Sequence, residues 1–359
     1  MKKILLLIES LGSGGAERQI CGLASFLTQA GYTCRLVTYV ENQFYEPYLR
    51  QNDVEYELVP SLRNKYLRVF RAAKYVREYH PDIVISYLPS VNMTMCLAKI
   101  FYKSKLIVSE RNNNTTISFK DRFLFNLYRF ADVIVPNSNC QANFIKQNFA
   151  FLSNKVKPII NFVDLVRFAP NLDKKNNYPL HIVTIARYTY QKNVLKFLEV
   201  VRCIKDAGLN VKFDWYGNKD YDRAYYSKIL DKYNELNIAD YLTLHSPSSK
   251  IEDVYSKSDV LCLPSLYEGY PNVIVEAMSC GLPIICSNVF ENPYIVKDGV
   301  NGFLFNPNDT YDMVSAIKKM LSLTTNDFKR IGNLNRELCV ERNKKEVFIE
   351  GYLNIIEKL

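Results

Sequence analysis

The stretch PSLYEGYPNVIVEAMSCGLPII, residues 264–285, decides how this chain folds. An apolar run ends at Pro264, and a loop carrying Glu268, Gly269 and Pro271 follows. A short helical segment then runs from about Asn272 to Cys280, and Gly281 ends it before the next apolar run begins. Strand, loop, helix and strand form the repeating unit of a parallel sheet, because parallel neighbours need a crossover connection.

The same alternation extends outward in both directions. Around that stretch, residues 181–186, 211–216, 241–244, 260–263 and 283–286 read as strands, with helices at 194–207, 225–236 and 309–321. Upstream, a first series places strands at 3–8, 35–40, 55–59, 82–87, 106–109 and 133–136. Its crossover helices fall at 16–29, 91–101, 119–130 and 140–149. Between the two series, RFAPNLDKKNNYP at 167–179 has the Pro and Asn content of a linker. The expectation is an α/β protein with two doubly wound parallel-sheet domains, 1–168 and 178–342, facing a central cleft. Ligands of such sheets lie beyond the carboxyl ends of the strands. Residues 343–359 read as an amphipathic helix that closes the chain, with packing against the N-terminal domain as one option.

At 359 residues, 48% hydrophobic and 23% charged, the chain is long enough for two domains and too mixed for a disordered or collagen-like protein. Its apolar runs are far shorter than the roughly 20 residues of a membrane span. The N-terminus is too polar for a signal peptide, so a cytoplasmic protein is expected. Nine cysteines without a C-x-x-C pair suggest neither a disulfide framework nor a zinc site, and the three histidines are isolated. The net charge of +9 is uneven: residues 1–165 hold 21 Lys and Arg against 13 Asp and Glu. Much of that surplus lies at 61–79, where Arg63, Lys65, Arg68, Arg71, Lys74 and Arg77 alternate with apolar residues as in a basic amphipathic helix. Three readings compete there: a packed helix with a solvated basic face, a contact with an anionic membrane, and a nucleic-acid contact. The last is disfavoured because no nucleic-acid-binding signature accompanies the charge.

Three segments carry chemistry. LGSGGAER at 11–18 turns from the first strand into a helix, and glycines at a helix start let a backbone approach phosphate or sugar closely. Its glycine spacing is not G-x-G-x-x-G, which argues against NAD, and a tight turn without ligand is the competing reading. IARYTYQK at 185–192 ends a strand with Arg187 and Lys192, two cations able to converge on one diphosphate and stabilise its departure without a metal. In the 264–285 stretch, Glu268 stands where a carboxylate can accept bonds from sugar hydroxyls. Glu276 lies one turn after Asn272, able to grip a ribose diol, and the amides of Gly269, Tyr270, Pro271 (which lacks one), Asn272 and Val273 surround the helix start.

Taken together, the E-x7-E pair Glu268 and Glu276, the upstream Arg187 and Lys192 and the opening GGAER resemble glycosyltransferase family 4, retaining enzymes of the GT-B fold with two Rossmann-like domains. NFVD at 161–164 and NGFLF at 301–305 are similar to further segments of that family. The resemblance implies that Arg187 and Lys192 bind the nucleotide diphosphate, Glu276 the ribose, and Glu268 with residues 269–273 the donor sugar. It makes the first domain the acceptor side and the second the nucleotide-sugar side: Gly14, Gly15 and Glu17 reach the reaction centre from the first domain, Gly14 and Gly15 toward the donor, while Glu17 and Arg18, with Arg111 and Asn112, bind the acceptor.

Many members carry a His after a mid-sheet strand of the first domain. Here the region reads SERNN at 109–113, which leaves Arg111 or Asn112 to take over part of that side chain's contact with the donor sugar. The SERN form is similar to members that build bacterial surface polysaccharides and lipid-linked oligosaccharides. The implied activity moves a hexose or N-acetylhexosamine from a nucleotide sugar, UDP favoured, to a hydroxyl of a lipid-linked or growing glycan. No cofactor and no metal are expected; Asp220 and Asp222 have the D-x-D form of metal-dependent transferases but lie away from the other motifs. Expected partners are the nucleotide sugar, the acceptor and the anionic inner face of the cell membrane, not nucleic acid. The alternatives are a catalytically silent subunit and a nucleotide-sugar epimerase or hydrolase.

Overall fold

The computed structural model describes residues 2–114, 116–171 and 179–359. Most of the expected linker, at 172–178, lies outside the described residues. The chain divides into two units, Met1–Phe162 with Lys345–Leu359, and Val163–Lys344.

The first unit is built on a six-stranded parallel sheet of β1 (Lys3–Leu7), β2 (Thr33–Thr38), β3 (Glu55–Leu58), β4 (Ile83–Tyr87), β5 (Lys105–Glu110) and β6 (Val133–Pro136). Their order is β3-β2-β1-β4-β5-β6. Alternate residues of β1 serve opposite faces. Leu5 and Leu7 join the core formed with the helices Arg68–Tyr79 and Pro89–Ala98. Ile4 and Leu6 face the helix Gly15–Gln29 and the closing helix Lys345–Lys358, which adds Phe348, Tyr352 and Ile356. Covering both faces explains why β1 and β4 read as nearly continuous apolar runs.

The basic segment differs from the expected continuous helix. Pro60–Arg63 forms a 3-10 turn, and the helix starts only at Arg68. In between, the Asn64 side chain accepts hydrogen bonds from the amides of Tyr66 (3.1 Å) and Leu67 (3.3 Å). Such local side-chain bonding competes with helix formation.

The second unit repeats the architecture with β7 (Leu180–Ile185), β8 (Val211–Tyr216), β9 (Leu242–His245), β10 (Val260–Leu263), β11 (Ile284–Ser287) and β12 (Gly302–Phe305), in the order β12-β11-β10-β7-β8-β9. Sequence reading did not anticipate β12, which falls inside the NGFLF segment and pairs with β11. Gly302 permits that pairing, since a Cβ there would lie 2.3 Å from the Ile284 carbonyl oxygen. The helix Thr325–Asn343 was also unanticipated; it opens with a capping box between Thr324 and Asp327.

The second unit begins before the expected boundary at Phe168. The Val163 amide bonds the Asn343 carbonyl at 2.8 Å, and the Arg336 guanidinium holds the carbonyls of Leu165 and Phe168. Residues 163–168 are thereby stapled to the helix Thr325–Asn343. Among the described residues no helix is long and apolar enough to cross a membrane. All nine cysteines are free, seven of them buried.

Strand order reverses between β1 and β4 in one sheet and between β7 and β10 in the other. Ligands of doubly wound sheets bind at such switch points, beyond the carboxyl ends of the strands.

Candidate active site

In the second unit, Arg187 and Lys192 follow β7 while Glu268 follows β10, so the switch point brings their loops together. Tyr188, fully buried, anchors the first loop by donating its hydroxyl to the carbonyls of Trp215 and His245, each at 2.8 Å. Tyr190–Lys192 then makes a 3-10 turn, ended by Asn193 in the left-handed region at φ 59°. The Asn193 side-chain Nδ2 donates to the Pro307 carbonyl at 2.8 Å, which fixes that turn.

The turn is stitched to the loop after β10. The Leu266 amide bonds the Gln191 carbonyl at 2.8 Å, and the Gln191 side chain donates to the Tyr267 carbonyl at 2.9 Å. As a result Lys192 Nζ lies 2.5 Å from Glu268 Oε1, with side chains only 13% and 8% exposed. A nearly buried pair needs each partner to offset the other's lost hydration. An ammonium has three N–H donors, so this pairing leaves Lys192 able to donate to phosphate oxygens as well.

Arg187 is exposed, its guanidinium 4.4 Å above the Tyr221 ring. The neighbouring D-x-D residues serve the local fold: Asp220 pairs with Arg223 at 3.0 Å, and Asp222 caps the helix Arg223–Glu235 by accepting from the Tyr225 amide. Among the described residues no group of three or more His, Cys, Asp or Glu is arranged to hold a metal ion.

Gly269 is half-buried, while Tyr270 and Pro271 are buried. The Tyr270 hydroxyl accepts from the Asn343 amide at 2.7 Å. Asn272 and Val273, half-buried, open the helix Asn272–Ser279, which carries no side-chain cap. Glu276 on that helix is buried and accepts a hydrogen bond from the Tyr255 hydroxyl at 2.9 Å. Tyr255 and Gln191 are site neighbours that sequence reading missed. Only the position of Gln191, beside Lys192, offered a signal. Leu266 also lines a separate depression of about 450 Å3 with Asn288, Asn306 and Asp312, which contains none of the predicted site residues.

In the first unit, Gly14 caps the helix Gly15–Gln29, with Gly15 exposed at its start. The Glu17 carboxylate folds back over Gly14, so that a Cβ at Gly14 would lie 2.1 Å from its Oε2. A carboxylate at a helix N-terminus is favourably placed against the helix dipole. Arg18 is half-buried and reaches the Tyr45 hydroxyl at 3.4 Å. Arg111 and Asn112 separate sharply: Asn112 is exposed, whereas Arg111 is only 7% exposed. The Arg111 guanidinium donates to Asn161 Oδ1 at 2.8 Å and to the Tyr352 hydroxyl at 3.0 Å. It also lies 4.0 Å over the Tyr87 ring. The structure thus commits Arg111 to internal contacts.

Glu110, beside it, is buried against Asn92 and Tyr128, whose hydroxyl donates to its carboxyl. Burial pushes this carboxyl from its ordinary 4.5 up to about 8, and Asp121 adds to the rise. The Asn92 hydrogen bond and the Arg111 charge oppose the shift. Between those two values the folded chain keeps a proton that the unfolded chain releases. Stability falls as pH rises through that window, by on the order of 1 kcal/mol per pH unit from this one group. Denaturation midpoints at pH 5.5 and 7.5 should therefore differ less in Glu110→Gln than in the parent. Equal pH dependence in both would contradict the assignment.

Comparison with known proteins agrees with this architecture. A sequence model described as Glycosyltransferase Family 4 matches residues 13–167, and one described as Glycosyl transferases group 1 matches residues 179–323. Together they cover more than four-fifths of the chain. The chain belongs to the glycosyltransferase family 4 class, and it is a glycosyltransferase of the GT-B fold.

An α-1,4-N-acetyl-D-galactosaminyltransferase of Campylobacter jejuni, named for a diNAcBac-PP-undecaprenol-linked glycan, is 27% identical over 91% of this chain and 90% of its own length. The amylovoran biosynthesis glycosyltransferase AmsD of Erwinia amylovora is 26% identical over 83% of this chain and 84% of its own. Among solved structures, Anabaena HepE in complex with UDP-glucose superposes with a TM-score of 0.87 at 18% identity, covering all of both chains. That likeness shows the fold.

Proposed function

We propose that this glycosyltransferase moves a hexose or N-acetylhexosamine from a nucleotide diphosphate sugar, with UDP favoured, to a hydroxyl of a lipid-linked or growing glycan in bacterial polysaccharide synthesis. The observation that carries the reading is the Lys192–Glu268 pair, held by two stitched loops at the β7/β10 switch point, with Arg187 on the same loop as Lys192. Lys192 and Arg187 take the diphosphate, Glu268 the sugar hydroxyls and Glu276 the ribose. Glu276 accepts from Tyr255 through Oε2, and a carboxylate has further acceptor lone pairs for ribose hydroxyls.

In the reaction the acceptor oxygen bonds the anomeric carbon as the bond from that carbon to the diphosphate breaks. The acceptor proton passes to a phosphate oxygen on the same face, giving retention. The rate then rests on fixed charges that favour the departing dianion and on positioning, with no protein nucleophile. No divalent metal is required in this scheme.

The lipid-linked acceptor is supported by the undecaprenol-linked glycans for which the Campylobacter relative and an Escherichia coli galactosyltransferase, 31% identical over 57% of this chain, are named. Peripheral contact with an anionic membrane is supported by the first unit's surface. There Tyr66, Phe70, Ile100, Phe101 and Phe119 are exposed, Phe70 meets Phe101 at 5.6 Å, and the exposed cations Arg63, Lys65, Lys74, Lys103 and Lys120 lie in the same segments.

The test is transfer from UDP-hexoses and UDP-N-acetylhexosamines to polyprenyl-diphosphate-linked sugars, with the new linkage read by NMR. Retention, insensitivity to EDTA and co-sedimentation with anionic vesicles are expected. An inverted anomer, strict metal dependence, or sugar release without acceptor would each overturn the corresponding part.

A further inference from the structure

The closing helix Lys345–Lys358 reaches the switch point of the first unit through one side chain. Tyr352, fully buried, accepts a hydrogen bond from Arg111 Nη2 at 3.0 Å and shares another with the Tyr87 hydroxyl at 2.8 Å. Tyr87 is the last residue of β4, and Arg111 follows the last residue of β5. Both strand ends that Tyr352 grips therefore lie beyond the carboxyl edge of the sheet, where the exposed Asn112 emerges.

Two physical details make this arrangement more than packing. The Arg111 guanidinium is buried, yet its partners are the neutral Asn161, Tyr352 and the Tyr87 ring; among the described residues it forms no ion pair, and its Nε is unpaired. Burying a cation on neutral partners is costly, because they replace only part of its lost hydration. Directly after Tyr87, Leu88 sits at φ 76° and ψ 146°, a conformation that costs on the order of 1–3 kcal/mol and persists only where surroundings enforce it. The network extends further. Asn161 opens the NFVD segment, whose Phe162 backbone is gripped at both its amide (3.0 Å) and carbonyl (2.9 Å) by Gln19 of the helix that follows Gly14 and Gly15.

We infer that Tyr352 and Arg111 are positioning residues for the acceptor-side loops: the closing helix holds the β4 and β5 loop ends, and so Leu88 and Asn112, in their working geometry. This rests on the glycosyl-transfer reading above and names the part of the chain that orients the acceptor.

Tyr352→Phe removes a single oxygen and keeps the ring against Phe348, 5.2 Å away. Arg111→Lys keeps the charge and removes the forked geometry. Each variant is expected to raise the KM for acceptor or lower kcat at least tenfold, with the KM for nucleotide sugar within twofold of the parent. Amide hydrogen exchange at Tyr87, Leu88 and Ser90 and at residues 110–114 should accelerate at least tenfold in both. Parent-like acceptor kinetics together with parent-like exchange in the folded variants would overturn the inference. A fall in melting temperature with both KM values and kcat unchanged would do the same, by reducing Tyr352 to a structural role. If the parent itself transfers no sugar, the functional reading fails, and the exchange rates alone decide the positioning role.

Discussion

Lys192→Ala is expected to lower kcat/KM for glycosyl transfer by about 100-fold or more, as removal of a preorganised charge from a transition-state site typically does. The substitution acts twice. It removes a donor to the departing diphosphate, and it leaves the Glu268 carboxylate, itself 7% exposed, without the ammonium 2.5 Å away. Breaking one side of a buried pair is costly because the remaining charge loses its close counter-ion without regaining its hydration. Lys192→Arg should retain more activity than Lys192→Ala, since the charge survives while the compact ammonium geometry does not. Steady-state kinetics on the folded fraction check this, and near-parent turnover in Lys192→Ala would remove Lys192 from the site.

The largest stability effect is expected from Arg336→Met. The parent guanidinium donates to the carbonyls of Leu165 (3.1 Å), Phe168 (3.0 Å) and Ser279 (2.8 Å) and to the Ser279 hydroxyl (2.6 Å). Methionine fills similar volume but satisfies none of these acceptors. With charge-assisted bonds contributing about 1.5–3 kcal/mol each and some acceptors regaining water, a loss of about 3 kcal/mol is expected. The chain's one tryptophan, Trp215, is fully buried in the second unit, so its fluorescence during urea unfolding reads that unit directly. An unchanged midpoint would show that residues 163–168 are not held by Arg336.

What the sequence disclosed follows from how strongly each feature is written in local chemistry. Strands buried on both faces, such as Lys3–Leu7 and Ile83–Tyr87, appear as unbroken apolar runs and were legible within a residue or two. Gly302–Phe305 was not, because a four-residue strand opening on glycine carries little propensity, and its pairing with β11 depends on a distant backbone. Thr325–Asn343 was missed for the opposite reason: its polar composition hides a helix whose buried face is only Ile331, Gly332, Asn335, Cys339 and Asn343.

At the site, residue types and spacing singled out Lys192, Glu268 and Glu276. They did not reveal that Lys192 and Glu268 form a pair, since 76 residues separate them in the chain and only the strand order joins their loops. Arg111 shows the limit most clearly. Its motif context pointed to a ligand contact, but burial against Tyr87 and Tyr352 depends on a helix that begins more than two hundred residues later. Asp220 and Asp222 have the D-x-D spacing but were set apart from the site by their position in the chain; in the fold one pairs with Arg223 and the other caps a helix.

The proposed nucleotide-diphosphate site, formed by the β7 and β10 loops of the second unit, can be checked in a crystal structure with UDP bound. Diphosphate oxygens are expected within about 3 Å of both Lys192 Nζ and the Arg187 guanidinium. UDP bound with neither side chain in hydrogen-bond reach of its phosphates would contradict it.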